Sequence, residues 1–158
     1  MTDAIGVYDD FMGAAIAEAR KAEALGEVPI GAVIAREGRV IAAAHNRRIL
    51  DKDPTAHAEM LAIRSAAAAL GDWRLTGCTL VVTLEPCCMC AGAIVLARID
   101  RLVYGAKDPK AGAVDTLYRI CSDPRLNHRV EVVAGLRAEE CGRMLGQFFE
   151  SQRAQGKK

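Results

Sequence analysis

The chain has 158 residues and a formal net charge of +1, from 21 lysines and arginines against 20 aspartates and glutamates. That length suits one domain able to bury a core without disulfides, and the near-neutral balance excludes nucleic-acid binding driven by bulk charge alone. Hydrophobic residues make up 51% and aromatics only 4%, so alanine, valine, leucine and isoleucine must build most of the core.

In chain order, Asp9 and Asp10 precede an alanine-rich run from Phe11 to Leu25 that stops at Gly26. Acidic residues at the start and glycine at the end predict a helix. Val28 to Ala35 and Val40 to Ala44 flank Glu37-Gly38, which predicts a hairpin. Asp53-Pro54 reads as an N-cap followed by proline at the first helical position, opening a helix that ends at Gly71 after Leu70. Thr79 to Thr83 is a buried-strand pattern, and Glu85-Pro86 opens a further helix reaching Arg98. Leu102 to Tyr104 is a strand, Val114 to Cys121 a short helix, and Val130 to Ala134 the last strand. The final helix runs from Ala138 to Arg153, with Glu139 and Glu140 in its first turn.

This order predicts an α/β fold of three layers, α-β-α, around a five-stranded mixed sheet. The last two strands are expected to be parallel, because the connection between them is long enough for a crossover. Residues 1–158 are expected to form one domain with its core at about 8–153. No apolar run approaches the roughly 18 residues of a membrane span. The N-terminus lacks a basic stretch followed by an apolar one, so a cytoplasmic location is expected, with reduced cysteines.

Two short motifs concentrate the chemistry. His57-Ala58-Glu59 offers a nitrogen ligand with a carboxylate two residues on. Cys87 and Cys90, in Pro86-Cys87-Cys88-Met89-Cys90, offer two thiolates three residues apart at a helix start. One histidine and two cysteines give three protein ligands to a tetrahedral Zn2+ and leave the fourth position open for water, as in catalytic zinc sites. Glu59 is then free to move protons. A closed structural zinc site would need a fourth ligand. Cys88 points about 100° away from its neighbour on a helix, while His45 and His128 read more simply as hydrogen-bonded histidines. Cys78, Cys88, Cys121 and Cys141 read as small buried apolar residues.

The pairing of His-x-Glu with Pro-Cys-x-x-Cys is the known signature of zinc-dependent nucleobase deaminases. Asp53 to Glu59, Thr83 to Ala93 and Asn127 to Glu131 resemble the bacterial tRNA-specific adenosine deaminases, as do Val28 to Val33 and Gly105 to Asp108. The likeness covers nearly all of residues 8–153. It implies a cytidine deaminase-like fold, one Zn2+ per subunit on His57, Cys87 and Cys90, and Glu59 as the catalytic proton donor. It also implies hydrolytic deamination of adenosine to inosine at the wobble position of a tRNA anticodon. The implied partners are a tRNA anticodon stem-loop and a second copy of the chain in a homodimer, with no DNA and no membrane.

Position by position, the resemblance assigns Asn46 to the target base, Asp108 to the adjacent substrate backbone, and Phe148 and Arg153 to the anticodon loop. Bulk-sequence alternatives for these four are a turn residue, an Asp-Pro loop residue, a core aromatic and a solvated charge. Arg47, Arg48, Arg74, Arg125, Arg129 and Arg153 are candidates for phosphate contacts. The chain departs from the family in His45, where many relatives carry a larger aromatic, and in Cys88, where an apolar residue is more usual. Three other readings use the same motifs: a deaminase of free guanine, cytosine or a nucleoside, a non-catalytic zinc-stabilised RNA-binding module, and a purely structural zinc domain.

Overall fold

The computed structural model describes residues 4–157. Its elements are α1 (Ala4–Ala24), β1 (Gly31–Arg36), β2 (Arg39–His45), α2 (Ala58–Leu70), β3 (Cys78–Leu84), α3 (Cys88–Leu96), β4 (Arg101–Ala106), β5 (Glu131–Ala134) and α4 (Ala138–Ala154). The strands lie in the order β2-β1-β3-β4-β5. β1 is antiparallel to both β2 and β3, whereas β3, β4 and β5 are parallel. The predicted mixed sheet and parallel final pair are both present.

Side chains alternate across this sheet with the two-residue period of a strand. Ala32, Ile34, Leu80, Val82, Leu102 and Tyr104 face one way, into a cluster with Ala58, Ala62 and Ala66 of α2 and Ala91, Ile94 and Val95 of α3. Val33, Ala35, Val81 and Val103 face the other way, against Phe11, Met12, Ala15, Ile16 and Ala19 of α1 and Cys141 and Met144 of α4. Both faces are therefore covered, and small alanines let the helices approach closely. At Gly31 the approach is extreme: a Cβ would come within 3.0 Å of Ala15 O and Ala19 N on α1.

Four expected boundaries move. α1 begins at Ala4 rather than after Asp10, because Tyr8 packs against the apolar cluster and extends the buried stripe towards the N-terminus. Asp53 does not cap α2. Its Oδ1 instead accepts bonds from the backbone N–H and hydroxyl of Thr55, at 2.8 and 2.7 Å, forming an Asx turn, and His57 becomes the N-cap. α3 likewise starts one residue after its N-cap Cys87 and stops at Leu96. The helix expected over Val114 to Cys121 is reduced to a 3₁₀ turn, Ile120–Ser122: Leu117 and Ile120 N–H donate to Gly112 O and Ala113 O rather than to carbonyls four residues back, while the Glu85 carboxylate gathers the N–H groups of Val114, Asp115 and Thr116.

Pairing of Leu84 with Ala106 and of Gly31 with His45 brings the ends of β2, β3 and β4 to one edge of the sheet. Crevices beyond the carboxyl ends of parallel strands are where open α/β sheets bind ligands. α2 and α3 also start at this edge, so their free N–H groups point into it.

Candidate active site

His57 and Cys87 are both N-cap residues, with extended backbone at φ −76° and −75°. The cap position uses the backbone carbonyl inside the helix, as Leu61 N–H to His57 O and Ala91 N–H to Cys87 O show, and leaves the side chain free. Cys90 follows one turn later and is buried. The Nδ1 of His57 lies 3.7 Å from Cys87 Sγ and 3.5 Å from Cys90 Sγ. Arms of about 2.3 Å to sulfur and about 2.0–2.1 Å to nitrogen, at a tetrahedral angle, would place these atoms about 3.6 Å apart.

The donor set carries a second sign of fit. The Cys90 thiol donates to Cys87 sulfur and, with His57 adding to the effect against the cost of burial, holds the Cys87 thiol down at about 4. Cys90 itself is pushed far up, first by that same bond and then by burial. His57 is raised by its contact with Cys87, against the effect of burial. Two adjacent thiolates cannot both ionise without a cation between them, and a divalent metal removes that conflict. Among the described residues, His57, Cys87 and Cys90 form the one group of three metal-ligating side chains close enough to hold an ion.

Glu59 lies in the first turn of α2 and is 4% exposed. Burial pushes its carboxyl up to about 7, with its own backbone N–H and His57 opposing. That value suits a group that must both hold and release a proton near neutral pH. Glu59 and His57 line the floor of a cavity of about 620 Å³ whose other walls are Val28 and Ile30, the loop at Asn46 and Arg48, the loop from Lys107 to Lys110, and one face of α4.

Of the other expected substrate residues, Asn46 and Asp108 are in this wall. Asn46 is buried, donating from Nδ2 to Val28 O at 3.4 Å and accepting Arg48 N–H at 3.2 Å. Asp108 accepts the N–H groups of Lys110 and Ala111, which is the Asp-Pro turn read from sequence. Phe148 and Arg153 do not line the cavity. Phe148 is 9% exposed beneath α4, and its neighbour Phe149, 43% exposed, forms the wall with Gly142, Leu145 and Gly146. The spacing 142, 145, 146, 149 is itself a helical stripe, adjacent to the buried stripe 141, 144, 145, 148, and was the available signal. Arg153 is exposed near the end of α4.

Of the arginines read as phosphate candidates, Arg48 lines the cavity and the other five do not. Arg47 pairs with Asp51, Arg125 pairs with Asp123, Arg74 stacks on Trp73, and Arg129 reaches Pro124 O. The cationic groups at the cavity are Arg48, Lys107 and Lys110, and the two lysines were not singled out from sequence. Neither His45 nor His128 joins the metal group: His45 Nδ1 lies 3.0 Å from Glu18, and His128 Nε2 lies 2.8 Å from Ile99 O. Cys78, Cys121 and Cys141 are buried as expected, but Cys88 is exposed, because the position after the N-cap faces away from the core.

Sheet, paired helix starts and donor set together define a zinc-binding deaminase. The family model for the cytidine and deoxycytidylate deaminase zinc-binding region matches residues 7–106. A tRNA-specific adenosine deaminase of Bacillus subtilis (strain 168) is 54% identical over 147 residues, covering 93% of this chain and 91% of that protein. The chain belongs to the tRNA-specific adenosine deaminase family. A solved structure of a tRNA:A34 deaminase, from work on A-to-I editing at the wobble position, superposes with a TM-score of 0.83 at 52% identity, covering 86% of this chain and 99% of that one. A guanine deaminase of Nitrosomonas europaea superposes at 0.74 with 26% identity, covering 89% of this chain and 83% of that one.

Proposed function

We propose that the protein hydrolyses the exocyclic amine of adenosine at the wobble position of a tRNA anticodon, yielding inosine and ammonia. The observation that carries this reading is a buried carboxylate, Glu59, lining the same cavity as His57, which groups with Cys87 and Cys90 as a metal-ligating set. When bound, zinc supplies Lewis acidity that makes a hydroxide nucleophile available at neutral pH. The residues of the chain do the rest. Asn46 hydrogen-bonds the target base and orients it. Glu59 takes up the proton released as the water becomes the nucleophile and delivers it to the ring nitrogen beside the reacting carbon, which lets that carbon accept the nucleophile. Glu59 then carries the remaining proton of the added hydroxyl to the amine, which leaves as ammonia as the carbonyl of inosine forms.

The wall and rim support a nucleic-acid substrate over a free base. The cavity is open on one side and roomier than a single purine requires, and Arg48, Lys107 and Lys110 surround it. An unstacked loop nucleotide needs such surroundings: an apolar slot for the base, an exposed ring to stack on and cations for flanking phosphates. Phe149 offers the ring in place of Phe148, while Asp108 sits where the substrate backbone passes and Arg153 extends the cationic side of α4. A homodimer follows from the same family reading. Exposed Leu96 on α3 and Leu117 and Tyr118 on the connection beside it supply apolar surface for that contact, which light scattering of the purified protein would register as a doubled mass. Among the described residues no helix is long and apolar enough to cross a membrane.

Incubation of the zinc-loaded protein with an anticodon stem-loop, and separately with guanine, cytosine and adenosine, tests the reading. Inosine at the wobble position is expected. Ammonia release from a free base alone would transfer the site to free-base deamination, the activity named for the Nitrosomonas relative.

A further inference from the structure

Two loops wall the cavity, and each is tied down by a buried carboxylate that no step of the reaction uses. Glu85, 2% exposed, follows the last residue of β3 and precedes the metal-ligand segment by two positions. Its Oε2 accepts the N–H groups of Val114, Asp115 and Thr116 at 3.1, 2.8 and 3.1 Å, and its Oε1 accepts Asp108 N–H at 3.1 Å and the Thr116 hydroxyl at 2.6 Å. The chain passes so closely over this carboxylate that a Cβ on Gly112 would come within 3.0 Å of three of its atoms. Glu27, 1% exposed, does the same for the other wall: its oxygens accept Ile49 N–H at 3.2 Å and Leu50 N–H at 2.7 Å, on the loop that carries Asn46 and Arg48.

Neither carboxylate belongs to an ion pair among the described residues. A buried carboxylate without a counter-ion is costly to desolvate, and backbone N–H donors are what offsets that cost. Such an arrangement fixes the donors as firmly as it satisfies the acceptor. The donors here are the two segments whose spacing sets the width of the cavity.

We propose that Glu85 and Glu27 are positioning residues that hold the Lys107–Lys110 wall and the Asn46–Arg48 wall at the separation needed to seat the target nucleoside over Glu59. The identity of that nucleoside rests on the function proposed above; the bracing of the walls does not. Glutamine has almost the volume of glutamate but replaces one acceptor with a donor. At Glu85 either orientation of the amide turns an NH2 group towards at least two existing donors. At Glu27 it turns towards one. Glu85→Gln is therefore the more severe of the two.

Both variants are prepared with zinc loaded, and metal content, amide hydrogen exchange and steady-state kinetics on the anticodon stem-loop are measured. One zinc per chain is expected in each. Exchange accelerates about tenfold or more, within residues 107–116 for Glu85→Gln and within 46–52 for Glu27→Gln. KM rises about tenfold or more for Glu85→Gln, and less for Glu27→Gln, while kcat stays within about threefold, because the walls hold substrate without touching the reacting atoms. Unchanged exchange in the two loops overturns the bracing, and faster exchange with unchanged KM overturns its link to substrate. Loss of zinc or of global protection in Glu85→Gln assigns that residue to the fold alone, and Glu27→Gln, remote in sequence from the metal ligands, then decides the proposal. If the wild type does not act on the stem-loop, the substrate reading fails on that measurement, while the exchange data and KM on whichever base it does deaminate still decide the bracing.

Discussion

Six cysteines divide by their surroundings into three groups with different reactivity. Burial pushes Cys121 up to about 12 and Cys141 up to about 11, and raises Cys78 as well, so these three stay as unreactive thiols. Cys88 is exposed. Cys87 and Cys90 group with His57 closely enough to hold a metal ion. Mild alkylation of the zinc-loaded protein is therefore expected to modify Cys88 alone, and chelation beforehand to add Cys87, whose thiolate is favoured without metal; peptide mass spectrometry reads both outcomes, and labelling of Cys121 or Cys141 in the native protein would contradict them. Glu59 differs from a surface carboxylate chiefly by its burial. Glu59→Ala is expected to lower turnover by about 10²–10⁴-fold while metal analysis still finds one zinc per chain. Undiminished turnover would remove Glu59 from proton transfer. Both motifs were legible because their chemistry is written in residue identity and spacing. Phe149 was legible only through its helical stripe with Gly142, Leu145 and Gly146, since its neighbour Phe148 is the same residue type and only the 100° step of the helix sends one ring to the core and the other to the cavity.

At the scale of elements, helix existence was legible and helix starts were not. Asp53-Pro54 has the residues of an N-cap, but the Thr55 bonds to Asp53 form a turn first and pass the cap to His57. That shift is what frees the His57 imidazole to face the cysteines. Val114 to Cys121 carries a plausible helical sequence, but Leu117 and Ile120 donate to Gly112 O and Ala113 O instead of to carbonyls four residues back, and a distant side chain, Glu85, gathers the N–H groups before them; no local pattern shows this. The contact between α1 and the sheet yields two measurable consequences. Gly31→Ala forces a methyl against backbone atoms of α1 and is expected to cost about 3 kcal/mol or more, read as a lower midpoint in urea unfolding. Glu18 joins α1 to β2 through His45 Nδ1 at 3.0 Å and pairs along α1 with Lys21 Nζ at 2.6 Å. Burial raises its carboxyl, but these two partners more than offset that and hold it below its ordinary value of 4.5. A carboxyl depressed in the folded state stabilises above its unfolded pKa, and the contribution is lost as pH falls through the folded one. Glu18→Gln is thus expected to be less stable than the wild type at pH 5.5 and to converge with it near pH 3. A constant gap across that range would exclude the ionised pair as the cause.

For the whole molecule, the question is whether zinc builds the fold or only equips it. Strand alternation made the three layers legible, while the pairing of β1 with β3 depends on contacts far apart in sequence. Those contacts leave two apolar clusters on opposite faces of one sheet, and the first runs from Ala58 and Ala91, beside the metal ligands, to Leu75 and Ile99 at the far ends of α2 and α3. The ligands thus sit at one edge of a core that closes without them. A small zinc-folded domain has no such core and unfolds when its metal is removed. Chelation is expected here to abolish turnover, keep the far-ultraviolet circular dichroism, and lower the melting temperature by the binding free energy the metal contributes to the native state alone. Added zinc should restore turnover without a refolding step. Collapse of the circular dichroism signal on chelation would instead make the zinc structural, and the spare coordination position read from the donor set would lose its meaning.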